Sequence, residues 1–179
     1  MDNFTEKTQY FLRENTSGRE DNACRFSCEF AKEGMIFCFD VRDEDIISPF
    51  TQDNEDLWRA DAVEVFLSPN GDLHNYKEIE VSPFGVRFYG DIYNSDGKTA
   101  ALTKKTPAYQ AWAEQTDGGY SVKIVIGYDS LEGFDRAKMK LNAYRLDKKQ
   151  SGEQLLYALN PTMCGSFHRP QYFIGEAKK

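Results

Sequence analysis

Glu64 is the residue of this chain best placed to do chemistry. It stands inside Ala62-Val63-Glu64-Val65-Phe66-Leu67, a run of β-branched and aromatic residues that reads as a strand. Successive strand side chains point to opposite sides, so Val63, Val65 and Leu67 share one face while Ala62, Glu64 and Phe66 share the other. A charge turned into an apolar core is costly, so Glu64 is expected on an exposed or polar-lined face. Tyr76 to Ser82 alternates in the same way, which puts Glu80 on that face one strand away. Trp58 stands just before the first of these strands. Two neighbouring carboxylates beside an aromatic plate can accept hydrogen bonds from sugar hydroxyls, hold a cation, or simply remain solvated. They also meet the formal requirement of glycoside hydrolysis, an acid and a nucleophile or base flanking the bond. Nothing in the sequence marks the deep cleft that hydrolysis needs.

Other residues offer weaker chemistry. Asp40, Asp43, Glu44 and Asp45 supply oxygen ligands suited to calcium but lack the Gly and terminal Glu spacing of an EF-hand, so a solvated acidic turn is expected. The four cysteines are Cys24, Cys28, Cys38 and Cys164. Cys24 and Cys28 share a strand face too far apart for an easy bridge, and a zinc site with Cys38 lacks a C-x-x-C knuckle, so buried free thiols are expected.

The elements that must position these groups read as short strands. Cys24 to Ala31 and Met35 to Val41 form a hairpin about Lys32-Glu33-Gly34. A polar excursion from Ile46 to Leu57 follows, the kind of long loop on which ligands are often met. Beyond the Glu64 strand, Ser68-Pro69-Asn70-Gly71-Asp72 turns the chain into the Glu80 strand. Pro83-Phe84-Gly85 breaks that strand, and Val86 to Ile92 returns. Asn94 to Ala108 looks irregular, ending near Trp112, which is expected in the core or at its rim. Tyr120–Ile126, Met139–Leu146 and Leu155–Leu159 are further strands, a helical turn is expected at Ser130–Gly133, and a last strand near Tyr172–Ala177. No amphipathic helix exceeds two turns. Many short strands punctuated by Gly, Pro, Asn and Asp predict an all-β, single-domain antiparallel β-sandwich with short helical turns, spanning residues 1–179, with residues 1–20 weakly patterned.

Size and charge narrow the function. A chain of 179 residues is long enough for one cored domain, and its formal charge of −7 disfavours nucleic acid and anionic membranes. No apolar run approaches the roughly 20 residues of a spanning helix. The first residues lack the basic and apolar regions of a signal peptide, so a cytoplasmic location is expected for the chain as written, or secretion if a signal was removed.

The stretch from Leu57 to Leu67, followed by Tyr76-Lys77-Glu78-Ile79-Glu80-Val81-Ser82-Pro83-Phe84-Gly85-Val86, resembles the family 9 carbohydrate-binding modules. Gly119 to Ile126, Leu141-Asn142-Ala143-Tyr144-Arg145 and Phe167-His168-Arg169-Pro170-Gln171-Tyr172-Phe173-Ile174-Gly175 continue the resemblance in order and spacing, from about residue 22 to the end. It implies a DOMON-type β-sandwich that binds a mono- or oligosaccharide without catalysis. In sugar-binding members a terminal sugar lies between two aromatic rings while polar side chains take its hydroxyls. Carried over by position, Trp58 is one plate and Phe167 stands where the second, a tryptophan, is expected. Glu64 becomes a hydrogen-bond acceptor, with Glu80, Asn142 and His168 as its neighbours in the site. Phenylalanine offers less stacking area than tryptophan and no N–H donor. Relatives of the fold also bind haem, for which Met35, Met163, His74 and His168 are the available axial ligands, though no spacing pairs them. A third reading is an accessory or interaction domain whose sugar site has decayed.

Overall fold

Alternating apolar residues build two antiparallel sheets that pack face to face. The computed structural model describes residues 3–177. In chain order the strands are β1 (Asn3–Phe4), β2 (Tyr10–Phe11), β3 (Arg13–Glu14), β4 (Cys24–Phe30), β5 (Gly34–Arg42), β6 (Ala62–Ser68), β7 (Asn75–Val81), β8 (Arg87–Tyr93), β9 (Ala101–Lys104), β10 (Gln110–Thr116), β11 (Gly119–Gly127), β12 (Lys140–Lys148), β13 (Gln154–Ala158) and β14 (Gly175–Glu176). One sheet has five strands in the order β10-β11-β5-β4-β2; the other has seven, β3-β13-β12-β6-β7-β8-β9. The β-sandwich architecture is as expected.

The main core lies between the sheets. Phe26 and Cys28 of β4, Phe37 and Phe39 of β5 and Val122 and Ile124 of β11 meet Val63, Val65 and Leu67 of β6 and Ile79 and Val81 of β7. The short strands β1 and β14 pair in parallel, Asn3 beside Gly175 and Phe4 beside Glu176. Arg136 clamps them, with Nη2 at 2.9 Å from Glu6 Oε2 and 2.6 Å from Glu176 Oε1.

Four local expectations need correction. The segment from Asn94 to Ala108 contains β9, whose four residues are all exposed, so no apolar alternation betrays it. Trp112 lies in β10 on an outer sheet face, 49% exposed, because its neighbours Ala111 and Ala113 are the ones turned toward the core. The turn expected at Ser130–Gly133 sits at Tyr128–Ser130. The last strand shrinks to Gly175–Glu176, since Pro170 opens a 3-10 turn over Pro170–Tyr172. Among the described residues no helix is long and apolar enough to cross a membrane.

Candidate functional site

The outer face of the seven-stranded sheet is buried as well. Pairing places Glu64 directly opposite Glu80 and Tyr144, and Phe66 opposite Glu78 and Asn142. These residues share a face with Tyr76 of β7, Phe88 and Ile92 of β8 and Leu146 of β12, which form a second apolar cluster. Two loops roof this face, the segment 43–61 before β6 and the segment 159–174 after β13. Every residue of β6 is consequently buried, on both sides of the strand.

Side-chain hydrogen bonds fix both loops. In the first, Asn54 Oδ1 accepts from Tyr89 N at 3.1 Å, and its Nδ2 donates to Lys105 O at 2.9 Å. Asp61 accepts from Lys148 N at 2.6 Å and from Ile47 N. Gln154 Nε2 donates to Trp58 O at 2.8 Å, which pins the short 3-10 turn Leu57–Arg59 carrying the tryptophan. In the second, Asn15 exchanges hydrogen bonds with Thr162, and Tyr144 donates its hydroxyl to Phe167 O at 3.2 Å.

Between the loops lies a cleft of about 420 Å³, lined by Trp58, Glu64, Phe66, Glu78, Leu102, Gln154, Phe167 and His168 among others. Trp58 is half-buried and meets Phe88 edge to face at 5.4 Å. Lys104 Nζ stands 5.4 Å from the Trp58 ring centre, held by Asn54 O and Asp56 Oδ1 at 2.9 Å each. Phe167 is buried and lies flat on Tyr144, centroids 4.1 Å apart and planes inclined 17°.

Three carboxylates form the polar floor. Glu64, Glu78 and Glu80 are 2%, 4% and 0% exposed, and each contributes an oxygen lying within 4.8 Å of the other two. Glu64 Oε2, Glu78 Oε2 and both oxygens of Glu80 are buried without a hydrogen-bond partner. Burial pushes Glu64 well above the ordinary carboxylate range, with the charge of Glu78 adding to it. Burial likewise raises Glu80, and lifts Glu78 to about 7. Of the two expectations for Glu64, an exposed or a polar-lined face, exposure is ruled out by its burial, and the glutamates around it make the lining polar. Strand alternation identifies the face, but long-range loops decide what covers it.

His168 stacks on Phe66, centroids 4.9 Å apart. Its Nδ1 lies 2.9 Å from Tyr76 Oη, which already accepts from Asn94 Nδ2 at 3.2 Å. The other ring nitrogen, Nε2, lies 3.9 Å from Glu78 Oε2. Burial, then the neighbouring Arg169, lowers the histidine to about 4, so the ring is neutral at pH 7.

Of the residues expected in a site, Trp58, Glu64, Phe167 and His168 line the cleft, and Glu80 lies beneath Glu64 and Glu78. Asn142 does not line it. Its Nδ2 donates to Asn160 O at 2.8 Å and its Oδ1 accepts from Asn160 N at 3.0 Å, so its side chain is spent on the roof loop. Sequence reasoning passes over Glu78, Phe66, Leu102 and Gln154. Glu78 and Phe66 carry a detectable signal in their alternation with the residues singled out; Leu102 sits in a strand without pattern.

The remaining candidates disperse. Asp43 is buried rather than solvated, 3.1 Å from the buried Arg145, which also pairs with Asp147 at 3.3 Å. Met35 belongs to the inter-sheet core, while Met163 and His74 are exposed. Cys24 and Cys28 face that core, and Cys38 lies on the opposite face of its sheet.

A model described as carbohydrate family 9 binding domain-like matches residues 4–175. The structure of a candidate carbohydrate-binding protein from Bacteroides uniformis superposes with a TM-score of 0.73 at 17% identity, covering 93% of this chain and 84% of that one. A family 9 carbohydrate-binding module from Caldicellulosiruptor kristjanssonii in complex with glucose gives a TM-score of 0.64 at 14% identity, over 94% and 84% of the two chains. One from the same organism in complex with cellotriose gives 0.60 at 13%, over 99% and 90%. Mitochondrial Rho GTPase 1 of Neurospora crassa is 31% identical over 103 residues, a stretch covering 51% of this chain. The chain spans 16% of the length of that curated relative.

Proposed function

The chain belongs to the carbohydrate family 9 binding domain-like family, and from that premise we propose that it binds a mono- or oligosaccharide, without catalysis, in the cleft roofed by Trp58 and Phe167. The observation that carries this reading is the pairing of apolar walls with buried, unsatisfied acceptors. Trp58, Phe66 and Leu102 offer flat or apolar contact to the C–H face of a sugar ring, while Glu64 and Glu78 present free oxygens to its hydroxyls. Gln154 spends its amide hydrogens on Trp58 O and Ala60 O and offers its Oε1 at the rim, beside the His168 ring. Trp58 is the principal stacking surface. Phe167, flat against Tyr144, closes the opposite end and positions His168, its chain neighbour.

The bound sugars of the Caldicellulosiruptor modules make glucose and cello-oligosaccharides the first probes. An aromatic contact of about 1 kcal/mol with a few hydrogen bonds of about 1 kcal/mol each corresponds to a dissociation constant of roughly 1 mM. Calorimetric titration with glucose, cellobiose and cellotriose tests the reading: saturable heat that disappears in Trp58→Ala supports it, and no heat with any mono- or oligosaccharide refutes it.

A further inference from the structure

We propose that Glu64, Glu78 and Glu80 hold a hard divalent cation at the floor of the cleft, and that this ion grips neighbouring hydroxyls of the sugar. The inference deepens the reading of the cleft given above and rests on it for the second clause only.

The geometry suits one ion. Two oxygens each about 2.4 Å from a calcium ion can lie no more than about 4.8 Å apart. One oxygen from each of the three glutamates meets that limit against the other two. An all-carboxylate donor set favours calcium, magnesium or manganese over softer metals. Three protein ligands leave coordination positions for water or a ligand, and Glu64 and Glu78 line the cleft from which these would come.

The electrostatics ask for such an ion. Glu64 and Glu80 stand directly opposite on neighbouring strands, where two ionised carboxylates would destabilise the sheet. Buried carboxylates are ordinarily paired, protonated or bound to metal. Four of the oxygens here are buried and lack a hydrogen-bond partner. Among the described residues the only basic side chain within ion-pair reach of the three is His168, at 3.9 Å and held neutral by burial. Lys104, on the rim, is already engaged by Asn54 and Asp56.

A second acidic trio makes the contrast. Asp43, Asp61 and Asp147 also approach within 4.8 Å. That trio contains its own cations, since Arg145 reaches Asp43 and Asp147 at 3.1 and 3.3 Å and Lys149 reaches Asp147 at 2.8 Å. Two backbone N–H groups satisfy Asp61. Among the described residues the glutamate trio has no such ion pair to Lys or Arg, Lys104 attracting Glu78 only from a longer range.

The test is calorimetric titration of chelator-stripped protein with Ca²⁺ and, separately, Mn²⁺ at neutral pH, with Tm recorded alongside. Binding of a single ion and a rise in Tm are expected, with affinity reduced at least tenfold in Glu64→Gln and in Glu80→Gln but not in Asp147→Asn. No heat and no change in Tm with either ion at millimolar concentration overturns the proposal, as does binding that both glutamine variants retain. Because the decisive titration uses the wild-type chain, a variant that fails to fold does not obscure it. Cellobiose is then titrated with and without Ca²⁺. Affinity at least tenfold higher with the ion is expected, and equal affinity overturns the ion's role in gripping sugar. Cellobiose that binds in neither condition, with ion binding intact, refutes the sugar reading while leaving the cation site standing.

Discussion

The ring of Phe167 rests flat on the ring of Tyr144, with centroids 4.1 Å apart. One face of Phe167 is therefore spent inside the protein, whereas Trp58 meets Phe88 only edge to face. The two aromatics should separate in their effects. Phe167→Ala is expected to cost stability, about 3 kcal/mol for a buried aromatic, readable as a lowered urea midpoint. Trp58→Ala should lower the midpoint by much less and weaken cellobiose binding about tenfold or more, equivalent to about 1.4 kcal/mol. Equal effects of the two substitutions on stability, with no difference in binding, would contradict this division.

Gly90 shapes the cleft from behind. It lies opposite Glu78 on β8, and a Cβ there would run into Cδ1 of Leu102, a cleft-lining side chain. Leu102 is 38% exposed, so it can swing away rather than unfold the sheet. Gly90→Ala should push Leu102 into the space a ligand would use, reducing sugar affinity several-fold with Tm nearly unchanged. A variant that binds like the wild type would show that Leu102 does not border the ligand.

Asp61 should leave a mark on the pH dependence of stability. Burial pushes its carboxyl up to about 6, with Asp43 and Asp147 adding to the rise against two backbone hydrogen bonds. The folded protein thus holds this proton more tightly than the unfolded chain, whose aspartate titrates near 3.9. The contribution is full below about pH 3.9 and is lost as the pH rises through about 6, roughly 3 kcal/mol in all. Unfolding free energies measured between pH 4 and 6.5 should fall less steeply in Asp61→Asn than in wild type, whatever the variant's absolute stability. Parallel curves would show that Asp61 does not titrate in this window.

The cysteines offer a simple check on the packing. Cys24 and Cys28 are 1% and 2% exposed, and burial pushes the Cys24 thiol up to about 12. Neither should react with a disulfide reagent in the native protein, while Cys38 and Cys164, both half-buried, should react. Denaturant should expose all four thiols. Rapid labelling of Cys24 or Cys28 in native conditions would mean that the inter-sheet core opens readily.

Much of the sandwich is legible in the residue pattern because β4, β5 and β11 each turn one face to the core and the other outward. Phe37, Cys38, Phe39 and Asp40 display that alternation directly. In β6 and β7 the same alternation names the right residues but hides what covers them, since Glu64 and Glu80 look solvent-facing until the two loops are placed. Asn142 fails as a site residue for a related reason. Its partner, Asn160, lies 18 positions away, beyond any local pattern. Phe167 is located by resemblance, yet its orientation depends on Tyr144, 23 residues earlier. Strand β9 leaves no trace because it has no buried face, although its Leu102 borders the cleft.

The parallel pairing of β1 with β14 sets Asn3 beside Gly175 and Phe4 beside Glu176, and Ala177 N donates a hydrogen bond of 2.6 Å to Phe4 O. A circular permutant should therefore be feasible. A linker of a few residues from Ala177 back to Asn3 would close the chain, and new ends opened in the exposed turn at Gln150–Gly152 would cut no strand of either sheet. The same closeness gathers both strands at the Arg136 clamp, none of whose residues lines the cleft.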